Sequence, residues 1–400
     1  MILRLLRLVK HQHKSEKSTS RMDQKNLMDH RQVLEALARA LRARGAELGR
    51  LEVVAGFDAF VDELISVVGE RRGSAEFTPI RDIAAFGKII LASAGHSSLR
   101  EIVVHRQDAG GCTVNLLDGL AALGLSCSAF ATLGEPPLAC FASFAARCRE
   151  VHGWGLEPGR TLCFEFADGK LMFSAISQLA AFNPESLRAC LADGSYLAAC
   201  RRAQLVALTN WTLFPHMTAC WKLLQQEVYS RLDHRPWFFL DLVDPTGRSE
   251  ADLRALIETL PGFAAAGPTV LGLNLQEASV FCRLFGLPAP QQTEAALLET
   301  AVALRARLEL GQVVLHTARF AAVAEPTRAS LAASFHCANP MKSTGAGDRF
   351  NAGFCLGLLL DLPSEERLLI GSAVAGCFVR AARSPSLSEL ASFLEEQARA

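Results

Sequence analysis

The sequence has no surplus of charge of either sign: Lys plus Arg and Asp plus Glu number 41 each in 400 residues. A protein that held nucleic acid or a membrane surface by bulk charge would carry such a surplus. Any phosphorylated ligand must therefore be held by local devices. There is no C-x-x-C pair either. The 12 cysteines are scattered singly from Cys112 to Cys377, which argues against the close ligand spacing of metal and redox motifs. Cys163, Cys355 and Cys377 lie within apolar runs, where a free thiol packs as a small hydrophobe, and reduced thiols in a cytoplasm are the expectation. No Gly-x-x-x-x-Gly-Lys-Ser/Thr loop is present, which removes a P-loop nucleotide site. The opening Met1-Ile-Leu-Arg-Leu-Leu-Arg-Leu-Val-Lys10 is too short and too interrupted for a membrane span. It also lacks the core and cleavage site of a signal peptide. Residues 1–28 are read as a disordered leader, with a targeting segment, or a true start at Met22 or Met28, as alternatives. No repeat, low-complexity tract or linker stands out.

What is present is apolar: half of the residues are hydrophobic and a fifth are charged, enough for a sizeable core. Leu34, Leu37, Leu41 and Leu48 recur at helical spacing and predict an amphipathic helix over 30–48. A strand follows at 51–55, ending in Gly56. Apolar runs at 127–132, 204–209, 237–243, 269–273 and 312–315 predict further strands. Helical stretches at 114–123, 139–150, 216–232, 250–260, 276–284 and 293–309 separate them. Strands alternating with helices imply an α/β fold with a mostly parallel sheet covered on both faces. One segment breaks the rhythm. Thr161 to Phe166 and Lys170 to Ser174, turning at Asp168-Gly169, predict a β-hairpin, so a domain over 29–400 with a small hairpin lid around 160–176 is expected.

The strongest chemical signal is Lys342-Ser-Thr-Gly-Ala-Gly-Asp348-Arg-Phe-Asn-Ala-Gly-Phe354, which runs into an apolar helix. Glycines before a helix expose N–H groups at the positive end of its dipole, suited to a transferring phosphoryl group. Asp348 projects from the same place and can take a proton from an attacking hydroxyl. The bland alternative is an ordinary loop and helix cap. Asp58 and Asp62, in Gly56-Phe-Asp-Ala-Phe-Val-Asp62, leave the first strand as carboxylates able to accept from sugar hydroxyls. Asp241 and Asp244 follow a later strand on what should be the ligand-bearing edge.

Together with Gly110-Gly-Cys-Thr-Val-Asn115 and Gly272-Leu-Asn274-Leu-Gln-Glu277, the Gly345–Asp348 stretch resembles the signatures of the ribokinase-like (PfkB-type) carbohydrate kinases, in their order and over residues 51 to 396. The resemblance implies a ribokinase-like fold and a sugar kinase. Gly110, Gly111 and Asn115 then hold the sugar. Asn274 and Glu277 organise Mg²⁺, mainly through water, beside the nucleotide; their alternative is a helix cap with a first-turn acid. Gly345, Ala346 and Gly347 form the anion hole and Asp348 is the catalytic base, with Thr344 and Thr317 beside the nucleotide phosphates.

Some features depart from the ordinary pattern. The spacing of Asp58 and the dipeptide His316-Thr317 resemble the ADP-dependent sugar kinases, so ATP is the expected donor with ADP as the alternative. Lys342 stands where many members carry an aspartate that helps bind a monovalent cation. Lysine has donors and no acceptor, so its ammonium is expected to replace the ion, or else to point into solvent. Arg349 is a candidate to pair with Asp348 or contact phosphate, with a solvated or structural role as an equal alternative. Trp211, Phe164 and Phe166 are candidates to close over the sugar, although aromatics more often serve core or interface, and the hairpin's apolar face is a candidate to meet either the pocket or a second copy in a homodimer. A nucleoside acceptor, and a non-catalytic sugar-binding regulatory protein, are the competing readings. No nucleic-acid or membrane partner is expected.

Overall fold

A computed structural model describes residues 19–155 and 157–400. Helix α1 (Thr19–Leu48) buries Leu34, Leu37, Leu41 and Leu48 against the last helix, the stripe expected from their spacing. It begins ten residues inside the stretch read as a leader, the rest of which lies outside the described residues. The chain then forms β1 (Glu52–Gly56), β2 (Phe60–Arg71), β3 (Phe77–Pro79), α2 (Ile83–Ala92), β4 (Ile102–Gly110), α3 (Cys112–Ala122) and β5 (Ser126–Ala131). Next come α4 (Ala142–Ala145), β6 (Glu150–Gly153), β7 (Gly159–Phe166), β8 (Gly169–Ala175), α5 (Pro184–Leu191), α6 (Ser195–Arg202) and β9 (Leu205–Leu208). The series continues with α7 (Met217–Glu227), β10 (Trp237–Asp241), α8 (Glu250–Ile257), α9 (Leu260–Ala266), β11 (Thr269–Asn274), α10 (Leu275–Leu284), α11 (Glu294–Leu308) and β12 (Gln312–His316). It closes with β13 (Phe320–Ala324), β14 (Ala329–Ala333), α12 (Ala346–Leu359), α13 (Ser364–Ala381) and α14 (Leu387–Arg399).

The main sheet has nine strands in the order β14-β13-β12-β11-β10-β9-β1-β5-β6. Its pairs from β12 through to β6 are parallel, and β13 and β14 are antiparallel additions. Alternate residues of each strand enter opposite layers. Val53, Ala55, Phe239 and Val314 join the core under α3, α12 and α13, while Val54, Val206, Phe238 and Leu240 join the other. The chain goes from β1 to β5 and β6 on one side, then returns to build β9 to β12 on the other. The order thus reverses at β1, the kind of switch point beside which open α/β sheets bind ligands at the carboxyl ends of their strands.

The lid is larger than a hairpin. β7 and β8 pair antiparallel as expected, but β7 also pairs with β2, which pairs with β4 and β3, giving five strands. Phe164 and Phe166 take the packing role. Both pack on Phe86 of α2, at centroid separations of 6.1 and 5.5 Å, on the lid's far face. The helix read over 139–150 is also corrected. Only Phe141 and Phe144 supply a buried stripe there, so a single short turn forms before the chain extends into β6 beside β5.

Candidate active site

Asp58 leaves β1 and is fully buried. Its two oxygens accept from the Cys112 and Thr113 amides (2.7 and 2.9 Å) and the Thr113 and Thr209 hydroxyls (2.8 and 2.9 Å). Asn210 Nδ2 donates at 3.0 Å. Five donors saturate a carboxylate, so Asp58 caps the N-terminus of α3 and does not face a sugar, a correction to the expectation. Gly111 lies against it with φ 99°; a Cβ there would stand 2.9 Å from Ala59 Cα.

Beyond this cap, α3 presents Asn115, whose Nδ2 donates to Oδ2 of Asp348 at 2.9 Å. Gly345 caps α12 at φ 86°, a left-handed turn that glycine adopts without strain. Ala346 and Gly347 follow, and Asp348 stands in the first turn. The amides of such a turn have no acceptor within the helix. Burial, and then the charge of Asp241, push the Asp348 carboxyl up to about 8, while Arg349 and Asn115 act in the opposite direction.

Asp62 enters from the lid. Its strand neighbours in register are Asp108 on β4 and Thr161 on β7, and a Cβ at Gly110 would stand 2.4 Å from Asp62 Oδ2. Burial raises its carboxyl, partly offset by the Thr161 hydroxyl and the charge of Lys342. The Lys342 ammonium stands 5.9 Å from the centroid of the Phe378 ring, and the Arg349 guanidinium lies 4.4 Å from the same centroid.

On the other side of Gly347 lies a cavity of about 460 Å³, within the range of small-molecule sites. Asn274, Gln276, His316, Thr317, Ser343, Ala346 and Gly347 are among its lining residues. Burial holds the His316 imidazole down to about 4, hence neutral, and it packs on Phe350 at 4.8 Å. Thr317 reaches the cavity, but its hydroxyl is committed to the β12–β13 turn, donating to the Phe320 carbonyl at 2.9 Å. Thr344, directly before Gly345, is half-buried and is not among the lining residues, where Ser343 takes its place.

Asn274 and Glu277 form a capping box at the start of α10, the bland alternative. Glu277 N donates to Asn274 Oδ1 at 3.0 Å, and the Glu277 carboxylate accepts from Asn274 N and Nδ2, both at 2.8 Å. Burial and the charge of Asp241 push Glu277 well above the usual range. Asp241 itself, at the end of β10, is raised to about 6 by burial while Asn351 Nδ2 donates to it at 2.6 Å. Among the described residues no three metal-ligating side chains form an all-protein cage. The charges of Asp241, Asp244 and Asp348 nevertheless add to burial in raising Glu277, a surplus of negative charge that a hydrated divalent cation relieves, so Asn274 and Glu277 fit Mg²⁺ held largely through water.

Arg349 and Trp211 take the structural alternative. Arg349 makes its ion pair with Asp118, at 2.9 Å, and not with Asp348. Trp211 is fully buried, donates to Thr218 Oγ1 at 2.8 Å and lies under the Arg248 guanidinium, so it belongs to the core. Sequence reasoning passed over Thr209, Asn210 and Asn351, which hold Asp58 and Asp241. The first two directly follow β9 on the ligand-bearing edge, and that position was the available signal.

A family model described as prokaryotic ketohexokinase matches residues 29–397. A ketohexokinase from Haloferax volcanii is 27% identical over 349 residues, covering 85% of this chain and 90% of that protein. Among solved structures, the Thermotoga maritima ribokinase has a TM-score of 0.58 at 16% identity, over 86% of this chain and 99% of the other. The Arabidopsis thaliana ribokinase, solved with ribose and ATP, has a TM-score of 0.60 at 18% identity, over 87% and 99%. At those identities the solved structures speak for the fold alone.

Proposed function

This chain belongs to the prokaryotic ketohexokinase family of ribokinase-like carbohydrate kinases and is a sugar kinase, and we propose that it moves the γ-phosphoryl group of ATP to a ketohexose hydroxyl with Asp348 as general base. The observation that carries this reading is the meeting of Asn115 and Asp348 at 2.9 Å, where the first turns of α3 and α12 converge beside the cavity. The acceptor sugar lies between Asp62 on the lid and Asn115 on the floor, which together accept from and donate to its hydroxyls. Asp348 takes the proton of the attacking hydroxyl as its oxygen bonds to phosphorus, and the bond to the leaving ADP breaks. The Gly347 amide and the N-terminal end of the α12 dipole face the charge that builds on the phosphoryl oxygens. Mg²⁺, held through water by Glu277 and Asn274, supplies neutralising charge on the phosphates when bound. Closure of the five-stranded lid excludes water from the transfer.

The His316-Thr317 step at the cavity favours one alternative donor, ADP, and the assay separates the two. Lys342 and Arg349 both lie over the Phe378 ring, and on this reading Lys342 replaces a bound monovalent cation. The lid's outer face leaves Leu91, Ile90 and Phe173 at 80, 54 and 53% exposure, and pairing with a second copy is the proposed cover. The 12 cysteines are free thiols, in keeping with a reducing cytoplasm as the compartment; no helix among the described residues is long and apolar enough to cross a membrane.

The test is a phosphotransfer panel of ketohexoses, aldoses and nucleosides with ATP or ADP and Mg²⁺. Turnover of a ketohexose with ATP is the expected result. Sugar-dependent stabilisation without turnover from either donor would establish a binding protein in its place.

A further inference from the structure

Arg349 lies directly after Asp348 in the first turn of α12, yet its side chain turns away from the cleft and into the gap between α12, α3 and α13. It is 6% exposed, and three contacts fix its guanidinium. Nη2 donates to Asp118 Oδ2 at 2.9 Å, Nε donates to Ser384 Oγ at 3.1 Å, and the plane lies 4.4 Å from the Phe378 centroid. Ser384 Oγ in turn donates to the same Asp118 oxygen at 2.6 Å, closing a triangle. The remaining nitrogen, Nη1, stands 2.9 Å from where a Cβ on Gly345 would be. A buried cation therefore lies directly behind the anion-hole glycine.

The position of Asp118 gives this triangle its consequence. It lies three residues after Asn115, so one face of α3 presents both side chains to α12. Asn115 meets Asp348, and Asp118 meets Arg349 one residue on. The helices approach closely enough that a Cβ on Gly119 would stand 2.7 Å from that of Ala352. We infer that Arg349 is a positioning residue for phosphoryl transfer: its pair with Asp118 locks the first turn of α12 onto α3, and its guanidinium is the fixed positive charge behind the anion hole. Lysine's mobile point charge could not hold two partners and a ring face in one plane.

This inference rests on the reading of Asp348 as base. The charged and titratable groups around Asp348 are Arg349 on its own helix, Cys112 at the start of α3, Asp58, Asp241 and Glu277, with His316 over Gly347. Of these, Arg349 is the cation that holds the base down. Its removal therefore shifts the protonation of Asp348 upward and displaces the anion hole together.

The test compares Arg349→Met, Arg349→Lys and the double variant Asp118→Asn/Arg349→Met. The double variant leaves no unpaired buried charge and keeps the comparison open if Arg349→Met does not fold. The readouts are kcat and KM for the sugar, the melting temperature, and the Asp348 carboxyl titration by ¹³C NMR, assigned by difference from Asp348→Asn. For Arg349→Met we expect kcat to fall about 100-fold with the sugar KM within about threefold. The Asp348 midpoint should rise by more than about half a pH unit. The double variant should recover melting temperature but neither kcat nor the midpoint, and Arg349→Lys should recover part of kcat. A double variant with wild-type kcat and midpoint would reduce Arg349 to a structural residue and overturn the inference. Absence of turnover in the wild type would overturn the kinase reading instead, and the titration would still decide the role of Arg349.

Discussion

Asn115 Nδ2 donates to Asp348 Oδ2 at 2.9 Å, joining two residues 233 positions apart and the first turns of two helices. The bond favours the ionised base, against burial and the charge of Asp241, which push Asp348 up to about 8. As the proposed base Asp348 would act deprotonated, so kcat should rise with pH through an acid limb. Asn115→Asp keeps the shape but replaces a donor with a second carboxylate, and like charges raise one another. The limb should move to higher pH by one unit or more, on the order of a tenfold loss at pH 7. A pH–rate profile of the two proteins checks this.

Asp58 and Asp62 should separate cleanly. Asp58→Ala leaves five donors without their acceptor and removes the cap of α3, a loss of about 2–4 kcal/mol. The melting temperature should fall by several degrees. Asp62→Asn should instead raise the sugar KM about tenfold or more with the melting temperature nearly unchanged. Thermal unfolding and steady-state kinetics on both variants distinguish the roles.

Lys342 removes the need for a monovalent cation on this account. At constant ionic strength, replacing Na⁺ or choline by K⁺ should change kcat by less than about twofold. Lys342→Asp should lower activity and make the remainder depend on K⁺, because a carboxylate accepts a cation and an ammonium does not. Initial rates across a K⁺ series, run on both proteins, test the assignment.

The outer face of the lid should pair two copies. Phe173→Arg places a charge on a face otherwise built from apolar side chains such as Leu91 and Ile90, and should convert a dimer to a monomer without altering the melting temperature of the main sheet. Light scattering over a dilution series measures the mass. A wild-type monomer at all concentrations would remove the pairing.

The main sheet was legible because its strands are continuous apolar runs between helices of ordinary length, as at 204–209 and 269–273. The lid was not. In β2, Glu63 sits on the buried side, held by Arg160 at 2.6 Å and Gln107 at 2.9 Å from neighbouring strands, so the alternation that marks a strand is broken. β4, Ile102–Gly110, is largely exposed and polar, and only its partner β2 makes it a strand. The same limit applies within the site. Asp348 and Asn115 were readable because each lies in a short motif tied to a helix start. Asp58 and Asp62 look alike in the sequence, and only the donors from Thr113, Thr209 and Asn210 show that Asp58 is the saturated one. Arg349 was readable as a charge next to the base, but its partner, Asp118, is 231 residues away.

Asp348→Asn tests the central claim most directly, with turnover and sugar binding measured on the same preparation. Asparagine keeps the size and the bond to Asn115 but cannot take the proton. The account predicts a fall in kcat of at least about 10²–10⁴-fold with sugar affinity within about threefold of wild type. A variant that turned over at the wild-type rate would contradict the assignment of Asp348 as the base.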